Sequence, residues 1–101
     1  MTWLDAADAR LAEETVVGAR VGDTLVALAR VGGTWFAVEA WCTHAECPLS
    51  DGWVERAAIR CACHGSLFDL ATGAPLEGPA DEAVRTYPTR VVGERVEIDV
   101  P

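Results

Sequence analysis

Two short segments contain all four cysteines and both histidines of the chain. The first reads Cys42-Thr-His44-Ala-Glu-Cys47 and the second reads Cys61-Ala-Cys63-His64-Gly65-Ser66. Thiolate and imidazole are donors that bind transition metals well, and the rest of the chain supplies neither. The sequence therefore predicts one metal site, formed where the two segments meet.

The length and charge of the chain limit its architecture and its partners. A chain of 101 residues is expected to form a single domain, residues 1–101. Sixteen acidic residues, eight arginines and no lysine give a formal charge of −8. This charge argues against nucleic acid or a membrane surface and favours a basic partner surface, although acidity for solubility alone would look the same.

The sequence lacks the patterns that are typical of an export signal or a membrane span. No apolar run approaches the roughly 18 residues of a membrane span, and the first residues lack a basic region followed by an apolar stretch. We expect a soluble cytoplasmic protein.

Strand-forming segments flank the two cysteine segments. Residues 24–31 and 34–41 are rich in β-formers, and Gly32-Gly33 between them suits a two-residue hairpin turn. Near the other end of the chain, apolar residues 96, 98 and 100 alternate with acidic residues 97 and 99, which predicts a strand with one buried and one wet face. Gly93-Glu94 predicts the turn that pairs this strand with Val91 and Val92.

The remaining segments predict turns more than regular structure. Only residues 6–14 are expected to form a helical turn or two. Turn formers crowd the insertion from Cys42 to about Pro79, which predicts a cluster of loops. The fold class is therefore all-β: a small antiparallel β-sandwich or barrel scaffold, about 1–41 and 80–101, that carries an inserted loop subdomain, about 42–79.

The donor set leaves two kinds of metal site open. A structural zinc site accepts two thiolates and two imidazoles, but zinc fingers usually pair like ligands on each arm. Here each arm mixes one cysteine with one histidine. A two-iron cluster explains the mixture better, because each loop can give its cysteine to one iron and its histidine to the other.

The sequence resembles the Rieske ferredoxin family. The resemblance is carried by the segment from Cys42 to Gly52, the segment from Cys61 to Asp69, Thr72-Gly73 and Gly78-Pro79. It covers the whole chain and implies the Rieske fold with one [2Fe-2S] cluster per chain.

Carried over by position, the resemblance implies a ligand for each iron. Cys42 and Cys61 would bind the inner iron, and His44 and His64 would bind the outer iron, where the electron enters and leaves. The segment around Pro79 resembles the family's proline loop, which shields the cluster.

The resemblance also implies roles for residues around the ligands. Cys47 and Cys63 resemble the disulfide pair of high-potential relatives. The alternative is two buried thiols, which a cytosolic location would favour. Ser66, after Gly65, would donate a hydrogen bond to a bridging sulfide, or else cap a turn. Phe68 replaces a tyrosine of those relatives and has no hydroxyl to donate.

Aromatic and acidic side chains near the insertion are candidates for partner docking. Trp41 and Trp53 flank the loops, although packed tryptophans are more common. The acidic residues in or beside the insertion would steer toward an arginine-rich surface, or simply be solvated, and one of them, Asp69, would also suit a loop brace. They are Glu46, Asp51, Glu55 and Asp69.

Three functions remain in order of preference. The resemblance implies a monomeric one-electron carrier, not itself an enzyme, between an NAD(P)H-dependent flavoprotein reductase and a terminal ring-hydroxylating oxygenase in aromatic hydrocarbon catabolism. The second is a Rieske small subunit or partner of a nitrite-reductase-like or monooxygenase system. The third is a zinc-stabilised interaction module.

Overall fold

The structure is a computed structural model that describes residues 2–43 and 47–100. The described chain is all-β, with eleven strands and one short 3₁₀ turn at Leu49–Asp51. The strands are β1 Thr2–Asp8, β2 Thr15–Val21, β3 Thr24–Val31, β4 Thr34–Glu39, β5 Trp53–Glu55, β6 Ala58–Arg60, β7 Leu67–Asp69, β8 Pro75–Glu77, β9 Thr86–Tyr87, β10 Thr89–Val92 and β11 Arg95–Val100.

The strands form three antiparallel sheets. The first has the order β1-β11-β10, the second β2-β3-β4-β9 and the third β5-β6-β7-β8. Strands β5 to β8 all lie within the insertion of residues 42–79. The all-β fold class predicted from the sequence is therefore confirmed, and the insertion contains a sheet of its own.

The second sheet is buried on both faces. Along β3, Val26 and Leu28 pack into one cluster of apolar side chains, whereas Ala27 and Ala29 pack into another. This alternation follows from the two-residue period of a strand. The second sheet therefore separates two hydrophobic cores.

The two cores have different compositions. The scaffold core lies between the first and second sheets, and its buried members are Val21, Val26, Leu28, Trp35, Ala37, Val96, Ile98 and Val100. The site-side core faces the cysteine loops, and its buried members are Ala27, Ala29, Val38, Cys42, Cys47, Leu49, Ile59, Cys61, Phe68, Leu70, Ala80 and Val84. The cysteine loops are thus part of a core and do not simply rest on it.

Both predicted hairpins are confirmed. Strands β3 and β4 pair with Val31 opposite Thr34, and both turn glycines between them have positive φ, 59° and 77°. A two-residue turn of this kind needs such values at both positions, and glycine adopts them without a steric penalty. Strands β10 and β11 pair across Gly93-Glu94, with Val92 opposite Arg95.

Four local expectations were wrong. Residues 6–8 continue β1, and residues 9–14 form turns, so the expected helical turn is not there. Strand β4 ends at Glu39, and Trp41 forms only an isolated bridge with Pro48. Strands β5 to β8 replace part of the expected loop cluster, because strands of three residues are too short to show a period.

The fourth correction concerns β11. Asp99, expected on the wet face, is only 4% exposed, and no described residue bonds its Oδ1 atom. Asp99 lies opposite Trp3 of β1 in the register. A cross-strand neighbour on the same face can cover a polar side chain, which a two-residue alternation does not reveal.

Across the described ranges 2–43 and 47–100, no helix has the length and apolar character needed to cross a lipid bilayer.

Candidate metal centre

The two cysteine segments close in the same way. The backbone N–H of Cys42 donates to the carbonyl of Cys47 at 3.0 Å, and the N–H of Cys61 donates to the carbonyl of Ser66 at 2.8 Å. Each loop therefore spans six residues and begins with a cysteine. We call these ranges, 42–47 and 61–66, the first and second cysteine loops.

Regular structure holds the ends of both loops. The first loop leaves after β4 and returns through the bridge between Trp41 and Pro48. The second loop joins β6 to β7, which pair directly, with Arg60 opposite Leu67. Both loops thus begin and end at paired segments, which hold their ends in place.

Two of the four cysteines are free and two are bonded. Cys42 and Cys61, the first residue of each loop, are buried free thiols. Cys47 and Cys63 form a disulfide that joins the two loops, with their Cα atoms 6.3 Å apart. This is the pairing that the family resemblance implied, and it excludes the alternative of two buried thiols in this structure.

The sulfur atoms are close together. Those of Cys47, Cys61 and Cys63 all lie within 4.8 Å of one another. Cys47 and Cys63 are not available as ligands while they are bonded to each other. The buried free thiols of Cys42 and Cys61 are the sulfur donors that remain.

Of the two histidines, the structure describes His64. His64 is exposed and follows the buried thiol of Cys61 by three residues, which places an imidazole at the surface end of the second loop. His44 and Glu46 lie outside the described residues. The donors that the structure does place, two buried thiols and a surface imidazole on loops joined by a disulfide, fit a cluster with sulfur on its inner side and nitrogen on its outer side.

A third segment, residues 78–85, is attached to both loops. The N–H of Ala80 donates to Ser66 Oγ at 3.0 Å in a buried contact. Thr43 Oγ1 donates to the carbonyl of Glu82 at 2.7 Å. The predicted proline-loop residue, Pro79, is exposed next to this attachment.

Gly73 determines how closely this segment approaches. Its φ is +79°, and a Cβ there would collide with the carbonyl oxygen of Val84. The Val84 N–H in turn donates to the Gly73 carbonyl at 2.9 Å. Gly73 of the sequence motif is therefore needed for backbone contact between the β7–β8 turn and the third segment.

Ser66 and Phe68 are both completely buried. Ser66 Oγ accepts the Ala80 N–H, so its own O–H remains a donor. Phe68 has no exposed surface and packs in the site-side core with Cys42 and Cys61. The serine therefore braces the backbone of the third segment, 14 positions away, and not a local turn.

A charged group lies beside the second loop. Arg60 Nε and one terminal nitrogen donate to the two carboxylate oxygens of Glu55 at 2.6 and 3.0 Å. Its other terminal nitrogen donates to the Gly65 carbonyl at 2.6 Å. Hydrogen bonds from Arg60 and then from Trp53 hold the pKa of Glu55 below its ordinary value. Conversely, the hydrogen bonds to Glu55 and then to Glu77 raise the pKa of Arg60.

The docking candidates have different surroundings. Trp41 and Trp53 are 45% and 49% exposed. Trp53 Nε1 donates to Glu55 at 2.6 Å, so this acid is engaged within the protein. Asp69 accepts from the backbone and hydroxyl of Thr72 at 2.9 and 2.8 Å and braces its own loop. Asp51 is exposed.

Sequence reasoning did not find three parts of this site. It missed Arg60, Thr43 and the Ala80 N–H, which fasten the loops to their surroundings. Arg60 could have been found from the sequence, because it directly precedes the second cysteine motif. Contacts that join residues 14 and 39 positions apart leave no mark in a local pattern.

Comparison with known proteins agrees with this geometry. Residues 2–88 match the family model of the Rieske [2Fe-2S] domain. The chain is 37% identical, over 97% of its length and 95% of the relative, to the ferredoxin component of a naphthalene 1,2-dioxygenase system from Pseudomonas aeruginosa.

Two solved structures have the same fold. One is a complex of reduced oxygenase and oxidised ferredoxin in carbazole 1,9a-dioxygenase, with a TM-score of 0.88 at 30% identity, covering 95% of this chain and 100% of the other. The second is a putative NADH-dependent nitrite reductase small subunit from Mycobacterium tuberculosis, with a TM-score of 0.86 at 27% identity, covering 96% of this chain and 93% of the other.

Proposed function

Because the chain belongs to the Rieske [2Fe-2S] domain family and carries that family's cluster, we propose that it is the ferredoxin component of a ring-hydroxylating oxygenase system. In this role it takes one electron at a time from an NAD(P)H-dependent flavoprotein reductase and delivers it to the terminal oxygenase. The protein transfers electrons and has no catalytic reaction of its own.

The observation that carries this proposal is the pair of matching loops. Each begins with a buried free thiol, and a disulfide holds them together. Such a frame keeps its donors in place when the charge of the site changes, which favours rapid electron transfer. The bound cluster supplies reversible one-electron reduction.

The proposed ligands follow from the donors and their depth. Cys42 and Cys61 are buried and would hold the inner iron, while His44 and His64 would hold the outer iron. The exposure of His64 supports an electron path through the imidazoles to the surface. Cys47 and Cys63 tie the loops together and Pro79 covers the site from the third segment.

Ser66 would donate its free hydroxyl proton toward the cluster, a role that the acceptor bond from Ala80 leaves open. Phe68 lies in the place of a hydrogen-bonding tyrosine and contributes only packing. A donor stabilises the reduced, more negative state, so one donor in place of two gives a lower potential than in high-potential relatives.

The partners would approach the loop end of the molecule. Trp41, next to the first loop, offers an exposed ring, and Asp51, Asp81 and Glu82 offer exposed carboxylates. Together with the charge of −8, these favour basic docking surfaces on reductase and oxygenase. We place the protein in the cytoplasm, as a monomer that exchanges between partners.

A second candidate role is the small subunit of a nitrite-reductase-like enzyme. It is favoured by the likeness to the putative nitrite reductase subunit. A permanent interface would distinguish this role from a shuttle. Co-expression with each candidate catalytic partner, followed by gel filtration, separates a stable complex from transient exchange.

The central test is direct. Purified protein should contain two irons and two acid-labile sulfides per chain. Its colour should bleach when NADH and a flavoprotein reductase reduce it. The colour should return when an oxidised terminal oxygenase is added. Cys61→Ser should lose the cluster, whereas Thr89→Ser, a matched substitution in β10, should retain it. A colourless wild-type protein with one zinc would overturn the proposal.

A further inference from the structure

Arg60 occupies a central position on the sheet of the insertion. The register places Trp53, Arg60, Leu67 and Glu77 in one row across β5, β6, β7 and β8. Side chains of one such row lie on the same face of a sheet. The Arg60 side chain is charged, yet only 20% of its surface is exposed to solvent.

The guanidinium of Arg60 is bonded on three sides. Glu55 receives two hydrogen bonds in a fork-to-fork arrangement, and Glu77 receives weaker ones at 3.4 Å. The third contact is the Gly65 carbonyl, at 2.6 Å. Trp53 holds the Glu55 carboxylate from the other side. The guanidinium therefore has little freedom to move away from the loop.

Gly65 is the part of the second cysteine loop that most needs such a contact. Its φ of +79° lies in the left-handed region, which glycine can leave easily. The residue separates the surface imidazole of His64 from the buried hydroxyl of Ser66. Because the peptide unit is planar, a fixed Gly65 carbonyl also fixes the direction of the Ser66 N–H.

We propose that Arg60 is a positioning residue for the cluster, acting through the Gly65 carbonyl on the orientation of His64 and Ser66. The inference rests on the ligand role proposed above for the second loop. Arg60 reaches the second loop through its hydrogen bond to the Gly65 carbonyl, so it acts by holding one peptide group.

The arrangement requires an arginine and not merely a positive charge. Two nitrogens bind Glu55 while a third reaches the loop, which a planar guanidinium with five donors can do. A lysine ammonium is a compact point charge and cannot form the fork and reach the carbonyl in the same geometry. Charge and positioning can therefore be separated by substitution.

The experiment compares three variants of the cluster-containing protein: Arg60→Lys, Arg60→Gln and the control Arg56→Gln. Arg56 is exposed in the turn between β5 and β6, at the opposite end of β6 from the second loop. Its substitution therefore removes the same charge from the same sheet without removing the hydrogen bond to Gly65. The measurements are the reduction potential, the EPR spectrum of the reduced cluster and the rate of iron loss to a chelator.

We expect Arg60→Gln to lose iron about tenfold faster than wild type, the lower end of the effect usual for groups that orient metal ligands. Its potential should fall, and its EPR spectrum should change. Arg60→Lys should show the spectral change with a smaller fall, and Arg56→Gln should match wild type. If Arg60→Gln does not fold, the Arg60→Lys comparison decides.

Two results would overturn the inference. One is an Arg60→Lys protein with wild-type spectrum, potential and iron retention. The other is an equal fall in potential for Arg60→Gln and Arg56→Gln, which would show a charge effect alone. A wild-type protein that binds no cluster would instead refute the proposed function, so the two failures are distinguishable.

Discussion

The scaffold core and the site-side core share one sheet but are closed by different means. The scaffold core is sealed by strands, with residues from β2, β3, β4 and β11 interlocking across two sheets. The site-side core is sealed by loops that contribute three of its members as cysteines. We therefore expect the first core to depend on strand packing and the second to depend in addition on the disulfide between the loops.

The largest expected difference comes from one truncation in each core. Leu28→Ala in the scaffold core should lower the free energy of unfolding by about 2–5 kcal/mol, and Phe68→Ala in the site-side core by about 3–5 kcal/mol. Both side chains are fully buried. Only Phe68→Ala should also accelerate iron loss from the folded protein, because it loosens the packing around Cys42 and Cys61.

Chemical denaturation followed by circular dichroism measures the first quantity, and chelator competition in buffer measures the second. Val91→Ala, at an exposed position of β10, serves as the control and should change the free energy of unfolding by less than about 0.5 kcal/mol. Equal iron loss from both core variants would contradict the division into two cores.

Removal of the disulfide should have the next largest effect. Its residues are 16 positions apart, and a bridge that closes a loop of this size contributes about 3 kcal/mol. In the double variant Cys47→Ser, Cys63→Ser, hydrogen exchange should rise in the two cysteine loops and remain unchanged in β3. Rapid exchange throughout β3 would show instead that the bridge supports the whole molecule.

Lowering the pH should have the smallest effect on stability, and this effect should again differ between the scaffold and the cysteine loops. The hydrogen bond from Arg95 lowers the pKa of Asp5 in the scaffold, and hydrogen bonds from Arg10 lower that of Asp8 to about 2. Arg60 and then Trp53 lower that of Glu55 beside the second loop. Since these pKa values are lower in the folded state, the unfolded chain binds more protons in acid.

The stability from these carboxylates is therefore present above about pH 4.5 and is lost as the pH falls toward about 2. The change should be modest because the groups are near solvent. Asp5→Asn should reduce the acid dependence of the free energy of global unfolding. Glu55→Gln should reduce the acid dependence of the rate of iron loss. An unchanged acid profile in both variants would show that other carboxylates dominate.

The parts of the fold that the sequence predicted correctly were those with local rules. Enrichment in β-formers marked β3, a two-residue alternation marked β11, and paired or leading glycines marked their turns, since the chain must adopt positive φ there. The prediction of a helical turn failed at residues 6–14, where the pairing of β1 with β11 replaced a weak helical preference. The expectation of a wet face also failed at Asp99, which is buried opposite Trp3 of β1.

The sequence by itself determined the chemistry of this protein, because the types and spacing of six side chains limit which metal site two short loops can form. Only the tertiary structure decided how that site is held. Arg60 reaches Gly65 because β6 and β7 pair directly. Ala80 reaches Ser66 and Thr43 reaches Glu82, across 14 and 39 positions, because the tertiary fold brings these segments together. Contacts between distant segments depend on packing, which no local pattern of residues encodes.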